Sequence, residues 1–160
     1  MSNKFSGIKI TAVETFLVEG NCCFVKISTN EGITGLGEGS ISDNKVGTIA
    51  QCIKDMEPHL IGKDPTNIEF LWQGLYRWNR WHVGVLFATA LSAIDIALWD
   101  IMGKVKNQPI YQLLGGVCDR IPSYASTPMF ENVSAYMDVI EELLNQGFRA
   151  IKFHTWCVPD

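Results

Sequence analysis

The amino-acid sequence predicts an α+β protein whose architecture changes twice along 160 residues. Three segments rich in β-branched residues open the chain and are separated by turn residues, which is typical of an antiparallel meander. Apolar residues at spacings of three and four follow, and this periodicity indicates helices. A strand, a helix and another strand come last and predict one βαβ unit. We therefore expect a three-stranded sheet with a helical bundle, followed by the opening of a second domain.

The three strands of the meander are expected at residues 8–18, 23–29 and 33–40. Four of the eight residues from 32 to 39 are glycine. Glycine weakens a strand because it has no side chain to pack, so neighbouring elements must hold the third strand in place. We interpret this segment as a Gly-rich edge strand, with a loop that lies against a ligand as the alternative. The spacing does not complete a G-x-G-x-x-G phosphate-binding motif.

Three helices are expected in the middle of the chain. The first begins near residue 44 and ends before Pro58, and the second covers residues 67–78. The second helix has an apolar side made of Phe70, Leu71, Leu75 and Trp78. The third lies within residues 85–104 and has an apolar stripe of Phe87, Leu91, Ile94, Leu98 and Ile101, widened by Ala90, Ala93 and Ala97. Asp100 and Lys104 are spaced by four, so we expect them to form a surface ion pair.

The chemistry-bearing residues lie near the end of the chain. Strands are expected at residues 121–127 and 148–154, joined by a helix that ends at Gly147. Lys152 and His154 stand two apart in the second strand and so point to the same face, with Cα atoms about 6.5 Å apart. Both side chains could then reach one small ligand. The alternative is a polar strand face that meets water.

Composition excludes several classes of partner. The net charge is −4, and the 13 Lys and Arg residues form no basic stripe. Binding to nucleic acid or to an anionic membrane is therefore not expected. The sequence shows no membrane span and no signal peptide, so we expect a cytoplasmic protein. Five cysteines without a C-x-x-C pair indicate reduced thiols rather than a zinc site or a disulfide framework.

Several motifs together resemble the mandelate racemase and muconate-lactonizing branch of the enolase superfamily. They are "GITGLGEGS", "LIGKDP", "SAIDIALWDIMGK", "PIYQLLGG" and the Lys-x-His strand, and the resemblance extends over residues 8–154. It implies an N-terminal capping domain at residues 1–119, followed at 120–160 by the incomplete start of a TIM-like (β/α) barrel.

The resemblance also implies candidate substrate contacts. In this family, two loops cover the substrate, and they correspond here to the surroundings of Asn21 and Ser40. His82 and Trp156 are further candidates for substrate binding. For His82, a lone surface histidine is the competing interpretation.

The family often carries Lys-x-Lys where this sequence has Lys152 and His154. The resemblance implies that His154 is the base that removes the proton next to a substrate carboxylate, and that Lys152 holds this carboxylate or tunes the histidine. A lysine needs its pKa lowered by about 3 units to be neutral at pH 7, whereas an ordinary histidine with a pKa near 6.5 is already mostly neutral. A histidine base needs no extreme environment.

The implied parent enzyme depends on Mg²⁺, whose ligands are expected on later barrel strands that these 160 residues do not contain. The substrate is expected to be a small carboxylate, most plausibly a sugar acid that is dehydrated, and the whole enzyme is expected to be a homo-oligomer. Racemase or epimerase action and cycloisomerisation begin with the same proton abstraction and stay open. A truncated, non-catalytic interaction module is the alternative from another class, and the chain alone is expected to be inactive.

Overall fold

The computed structural model describes residues 7–19, 21–41, 45–78, 80 and 84–154. The chain divides into two compact units, Met1–Gly116 and Val117–Asp160. Each unit is described by itself. The assignment of residues 1–119 to a capping domain and of 120–160 to a barrel stays a prediction.

The first unit contains the predicted antiparallel meander. Its strands are β1 (Ile10–Val18), β2 (Cys22–Thr29) and β3 (Thr34–Glu38), in the order β1-β2-β3. Side chains alternate along the central strand, so Val25 and Ile27 are fully buried on the face that the helices cover. The prediction of a three-stranded sheet packed against helices is therefore confirmed.

Four helices follow in the first unit. They are α1 (Val46–Leu60), α2 (Ile68–Trp78), α3 (Val85–Lys106) and the single turn α4 (Ile110–Leu113). Helix α3 has the predicted buried stripe: Ala90, Leu91, Ala93, Ile94, Ala97, Leu98 and Ile101. By length and composition alone α3 could also cross a membrane, a property that it shares with the buried core helices of other proteins.

The predicted end of the first helix was wrong. Helix α1 does not stop before Pro58 but includes this proline and runs to Leu60. A proline in the last turn removes one backbone hydrogen bond. Leu60 is fully buried in the core, and Ile61 donates its N–H to the Glu57 carbonyl at 3.1 Å, so the final turn is held beyond the proline.

The apolar side predicted for the second helix was wrong in part. Leu71 and Leu75 are buried as predicted, but Phe70 is 70% exposed and Trp78 is 47% exposed. Successive residues of a helix are rotated by about 100°, so Phe70 points well away from the stripe that begins at Leu71. Trp78 lies at the end of the helix, where its ring contacts that of His59 at 4.4 Å.

The glycines of β3 allow α3 to approach the sheet at backbone distance. A Cβ atom at Gly35 would overlap the carbonyl oxygen of Ala97, and one at Gly37 would overlap that of Ala93. Because these neighbours are backbone atoms, a side-chain rotation could not relieve the overlap. The Gly-rich segment is thus an edge strand packed under a helix, in agreement with our first interpretation.

The outer edge of β3 is covered by a charged pair on α3. Asp100 and Lys104 form the predicted ion pair at 2.8 Å. The Asp100 carboxylate also accepts the Leu36 N–H at 2.9 Å, and the Lys104 ammonium donates to the Thr34 carbonyl at 2.7 Å. The pair thereby satisfies two backbone groups of an edge strand, which would otherwise be open to pairing with another chain.

The second unit is a βαβ arrangement. Strand β4 (Ala125–Ser126) and strand β5 (Ile151–Lys152) are parallel, and α5 (Val133–Asn145) connects them. Both strands are shorter than the predicted 121–127 and 148–154. They pair with each other over two residues each, and this short ladder limits their length. Gly147, with a φ of 93°, follows α5 in the left-handed conformation expected of a C-terminal cap.

The close approach of β3 and α3 predicts an asymmetric response to alanine. Gly37→Ala should lower the free energy of unfolding by about 1–3 kcal/mol or more, because the added methyl group has no space. Gly47→Ala is the matched control, since a Cβ at this position of α1 meets no atom within 4 Å. Alanine is also the better helix former, so the control should be neutral or stabilising. Chemical denaturation of both variants tests this, and equal stabilities would contradict it.

The stripe of α3 gives a second prediction. Leu98 is 1% exposed, so Leu98→Ala should remove about 2–5 kcal/mol from the free energy of unfolding. Leu36→Ala is the control on the exposed face of β3, and it should cost less than about 1 kcal/mol. A loss of under about 1 kcal/mol for Leu98→Ala, measured in the same denaturant series, would show that the stripe does not form the core in solution.

One half-buried carboxylate predicts how stability depends on pH. Burial of Asp95 on α3, and then the nearby Glu69 carboxylate on α2, raise the pKa of Asp95 above its usual value. The folded state then holds the proton more tightly than the unfolded state. The resulting stability is present below the ordinary aspartate pKa and is lost as the pH rises through the folded pKa. Asp95→Asn should raise the melting temperature at neutral pH and flatten its fall between acidic and neutral pH. Asp55→Asn, at an exposed position of α1, should leave the profile unchanged.

Candidate active site

Lys152 is the last residue of β5, and His154 lies two residues beyond it, so the prediction that the strand includes His154 was wrong. That the two side chains share one face stays a prediction. The parallel register pairs Ala125 with Ile151 and Ser126 with Lys152. Thr127 follows β4 directly and donates its N–H to the Lys152 carbonyl at 3.0 Å. The carboxyl ends of the two strands therefore lie side by side, which is the edge where parallel α/β enzymes place their catalytic groups.

The imidazole of His154 is held by a backbone carbonyl. Its Nδ1 lies 2.7 Å from the carbonyl oxygen of Thr127, which is buried. A carbonyl oxygen can only accept a hydrogen bond, so Nδ1 carries the proton in the neutral ring and Nε2 carries the free lone pair. The same hydrogen bond would become stronger if the ring took up a second proton, because its donor would then be charged. The ring is thus arranged to accept a proton at Nε2.

The backbone of His154 is held by a tyrosine from the connecting helix. The Tyr136 hydroxyl donates to the His154 carbonyl at 2.6 Å and accepts the Phe130 N–H at 3.2 Å. Its ring meets Phe130 edge-on at a centroid distance of 4.9 Å and lies 5.8 Å from the ring of Phe153. Three segments of the second unit therefore meet at this side chain.

Lys152 presents a free cation beside this arrangement. Its side chain is exposed and forms no ion pair with any of the residues that the structure describes. An exposed ammonium two residues from an oriented imidazole could bind a small anion such as a carboxylate. The Lys152 backbone carbonyl, by contrast, accepts a hydrogen bond from the Thr127 N–H.

Asn21 and Ser40 belong to the first unit. Asn21 is half-buried in the turn between β1 and β2, with a φ of 63° that asparagine tolerates better than most residues. The Ser40 hydroxyl accepts the Cys23 N–H at 3.2 Å and thereby extends the contact between the ends of β2 and β3. Asn21 thus forms part of the turn between β1 and β2, and Ser40 forms part of the segment that follows β3, so both residues have a structural role. Their contact with substrate stays a prediction.

Of the six predicted site residues, Lys152 and His154 lie in the second unit, at the end of β5 and two residues beyond it. Asn21 and Ser40 are placed within the other unit, and His82 and Trp156 lie outside the described residues. Two contributors were not predicted: the Thr127 carbonyl and the Tyr136 hydroxyl. A sequence signal existed for Thr127, since the ends of two parallel strands in one βαβ unit must be neighbours. No feature of the sequence around Tyr136 indicated that its hydroxyl would bond to the His154 carbonyl.

The described residues do not fit a magnesium site. Mg²⁺ requires nearly octahedral oxygen ligands, with carboxylates converging on one point. Over residues 7–19, 21–41, 45–78, 80 and 84–154 the structure has no group of three or more His, Cys, Asp or Glu side chains that could hold a metal ion.

Comparison with known proteins identifies the family. Residues 8–115 match the family model described as the N-terminal domain of mandelate racemase and muconate lactonizing enzyme. The chain belongs to this family of the enolase superfamily. The matched segment contains all three strands of the meander and helices α1, α2 and α3, so the fold of the first unit is the family's N-terminal fold.

Longer relatives in the family are named as sugar-acid dehydratases. The chain is 38% identical over 146 residues to a D-galactonate dehydratase family member from Streptomyces bingchenggensis, covering 89% of this chain and 35% of the relative. It is also 38% identical over 139 residues to a D-mannonate dehydratase from Caulobacter vibrioides, covering 84% of this chain and 34% of the relative. The chain thus spans about a third of the length of these curated relatives.

A solved structure extends the similarity to the second unit. An enolase-superfamily protein from Pantoea ananatis, crystallised with bound D-gluconate and magnesium, matches with a TM-score of 0.84 and 35% identity. The match covers 92% of this chain and 36% of that protein. Because 92% of the chain is more than the first unit contains, the match extends into the second unit.

Proposed function

We propose that this chain forms the N-terminal part of a sugar-acid dehydratase in which His154 removes the proton next to the substrate carboxylate. The observation that carries the proposal is the hydrogen bond from His154 Nδ1 to the Thr127 carbonyl, which leaves Nε2 as the proton acceptor. The names of the relatives support the substrate class. Racemisation, epimerisation and cycloisomerisation begin with the same proton abstraction and stay alternatives within the superfamily, and a truncated, non-catalytic interaction module is the alternative from another class.

Lys152 and His154 would have different roles in the reaction. The Lys152 ammonium would hold the substrate carboxylate by charge, and His154 Nε2 would take the proton from the adjacent carbon. The electron pair of the broken C–H bond then becomes available to expel the hydroxyl group on the next carbon, which leaves as water by taking up the proton that His154 Nε2 had removed. Four further residues are proposed to contact the substrate: Asn21, Ser40, His82 and Trp156. Asn21 and Ser40 would do so as members of the two loops that cover the substrate.

We also propose that the whole enzyme requires Mg²⁺, bound by chain that lies outside these 160 residues. The bound magnesium of the Pantoea ananatis structure supports this proposal, and so does the share of that protein, 36%, that the present chain covers. Calorimetric titration of the 160-residue chain with magnesium should then show no binding tighter than that of an ordinary acidic surface. Micromolar affinity would contradict the proposed location of the ligands.

The role of His154 can be tested in a chimera. Residues 1–154 would replace the matching part of the D-mannonate dehydratase from Caulobacter vibrioides, and the chimera would be assayed for turnover and for exchange of the substrate α-proton in heavy water. His154→Asn should reduce exchange by about 10²-fold or more, because asparagine cannot accept the proton. Lys152→Met should lower kcat and raise KM together, since the carboxylate loses its cation.

His59→Asn is the matched control for this experiment. His59 is exposed on α1 and contacts Trp78 rather than the strand ends, so its replacement should leave exchange unchanged. Full exchange in the His154→Asn chimera would assign the base to another residue. A folded but inactive unmodified chimera would contradict the dehydratase proposal itself.

A further inference from the structure

We propose that Tyr136 is a positioning residue for His154. Its hydroxyl ties the segment after β4 to the end of β5 and so keeps the imidazole in the tautomer that leaves Nε2 free. The catalytic consequence rests on the proposed function, but the positioning itself concerns only contacts within the second unit.

The first step is the hydrogen bonding of the phenol. The Tyr136 hydroxyl accepts from the Phe130 N–H at 3.2 Å and donates to the His154 carbonyl at 2.6 Å. One group therefore joins two backbone positions that are 24 residues apart. Loss of the hydroxyl would leave a part-buried donor and a part-buried acceptor without this partner, which costs more than the loss of a solvent-exposed hydrogen bond.

The second step is the fixed direction of the phenol. Asn132 caps the first turn of α5 by accepting the Ala135 N–H at 2.9 Å, so the start of the helix that carries Tyr136 is well defined. The Tyr136 ring is then held edge-on by Phe130 and Phe153, at interplanar angles of 90° and 78°. Packing thus aims the hydroxyl at the His154 carbonyl, and a phenylalanine in this place would retain the packing.

The third step connects the backbone to the imidazole. The Lys152 carbonyl is held by the Thr127 N–H at 3.0 Å, and the His154 carbonyl is held by Tyr136. The backbone is therefore fixed on both sides of Phe153, and this places the His154 Nδ1 at 2.7 Å from the Thr127 carbonyl. If the second anchor is lost, the end of β5 can move away from Thr127, and the ring loses the acceptor that selects its tautomer.

Nitrogen NMR of the ¹⁵N-labelled 160-residue chain tests the inference without any turnover. In the wild type, with the ring neutral, the His154 ring should show one protonated nitrogen, Nδ1, and one unprotonated nitrogen, Nε2. In Tyr136→Phe both ring nitrogens should move towards the averaged shifts of a histidine that exchanges between tautomers. Tyr124→Phe is the control, since this tyrosine is 55% exposed in the same unit, and it should keep the wild-type spectrum.

Three results would overturn the inference. Tyr136→Phe could lower the melting temperature and yet leave the single Nδ1–H tautomer intact, which would reduce Tyr136 to a purely structural residue. If Tyr136→Phe does not fold, measurements on the wild-type chain still test the inference. A mixed tautomer of His154, or a Phe130 amide that exchanges with solvent as fast as in a free peptide, contradicts the arrangement directly.

Turnover in the chimera separates this inference from the proposed function. Tyr136→Phe should lower kcat by about 10- to 100-fold with little change in KM, because the base is misplaced while the substrate-binding lysine remains. If His154→Asn retains proton exchange but the NMR shows the tautomer locked by Tyr136, then the proposed function fails and the positioning stands. If His154→Asn abolishes exchange and Tyr136→Phe leaves the tautomer unchanged, the positioning fails alone.

Discussion

The first unit depends on the contact between the backbone of β3 and the backbone of α3. Glycine at positions 35 and 37 leaves no Cβ between the strand and the carbonyls of Ala97 and Ala93. This approach places the buried stripe of α3 on the sheet, and Asp100 and Lys104 can then reach the edge of the strand. Helices α1 and α2 pack in turn against α3, and α1 also packs directly on β1 and β2. The two glycines therefore determine how closely the central helix α3 approaches the sheet.

Much of this fold was predictable because its periodicities are local. The alternation of β2 and the apolar stripe of α3 are visible in single segments of sequence, and both predictions are confirmed. The function of the glycines was not predictable, since the atoms that exclude a Cβ belong to Ala93 and Ala97, about sixty residues further along the chain. The errors at Pro58 and Phe70 have the same origin, because tertiary packing decided where α1 ends and which side of α2 is buried.

Only part of the candidate site, likewise, was predictable from local sequence. Side-chain alternation along a strand predicted that Lys152 and His154 share one face. The role of His154 as a base came from the family resemblance and stays a proposal. The orientation of the imidazole was beyond this argument. It depends on the hydrogen bond between the imidazole and the Thr127 carbonyl, which follows β4, and on a hydroxyl from the first turn of α5. The face of a strand on which a side chain lies can therefore be predicted from its position in the sequence. The tautomer of a histidine can be assigned only when its hydrogen-bonding partner is known.

The contacts that orient His154 all lie within one βαβ arrangement, and none of them involves a metal ligand. Proton abstraction next to a carboxylate has two requirements: a base in the correct position, and stabilisation of the negative charge that develops on the substrate. On the proposed function, His154 would supply the base, and Lys152 is the cation closest to it in sequence for the second requirement. A single exposed ammonium is strongly solvated and stabilises charge weakly compared with a desolvated group. The orientation of the proposed base therefore depends on hydrogen bonds to backbone carbonyls, whereas stabilisation of the developing charge requires more than this one ammonium.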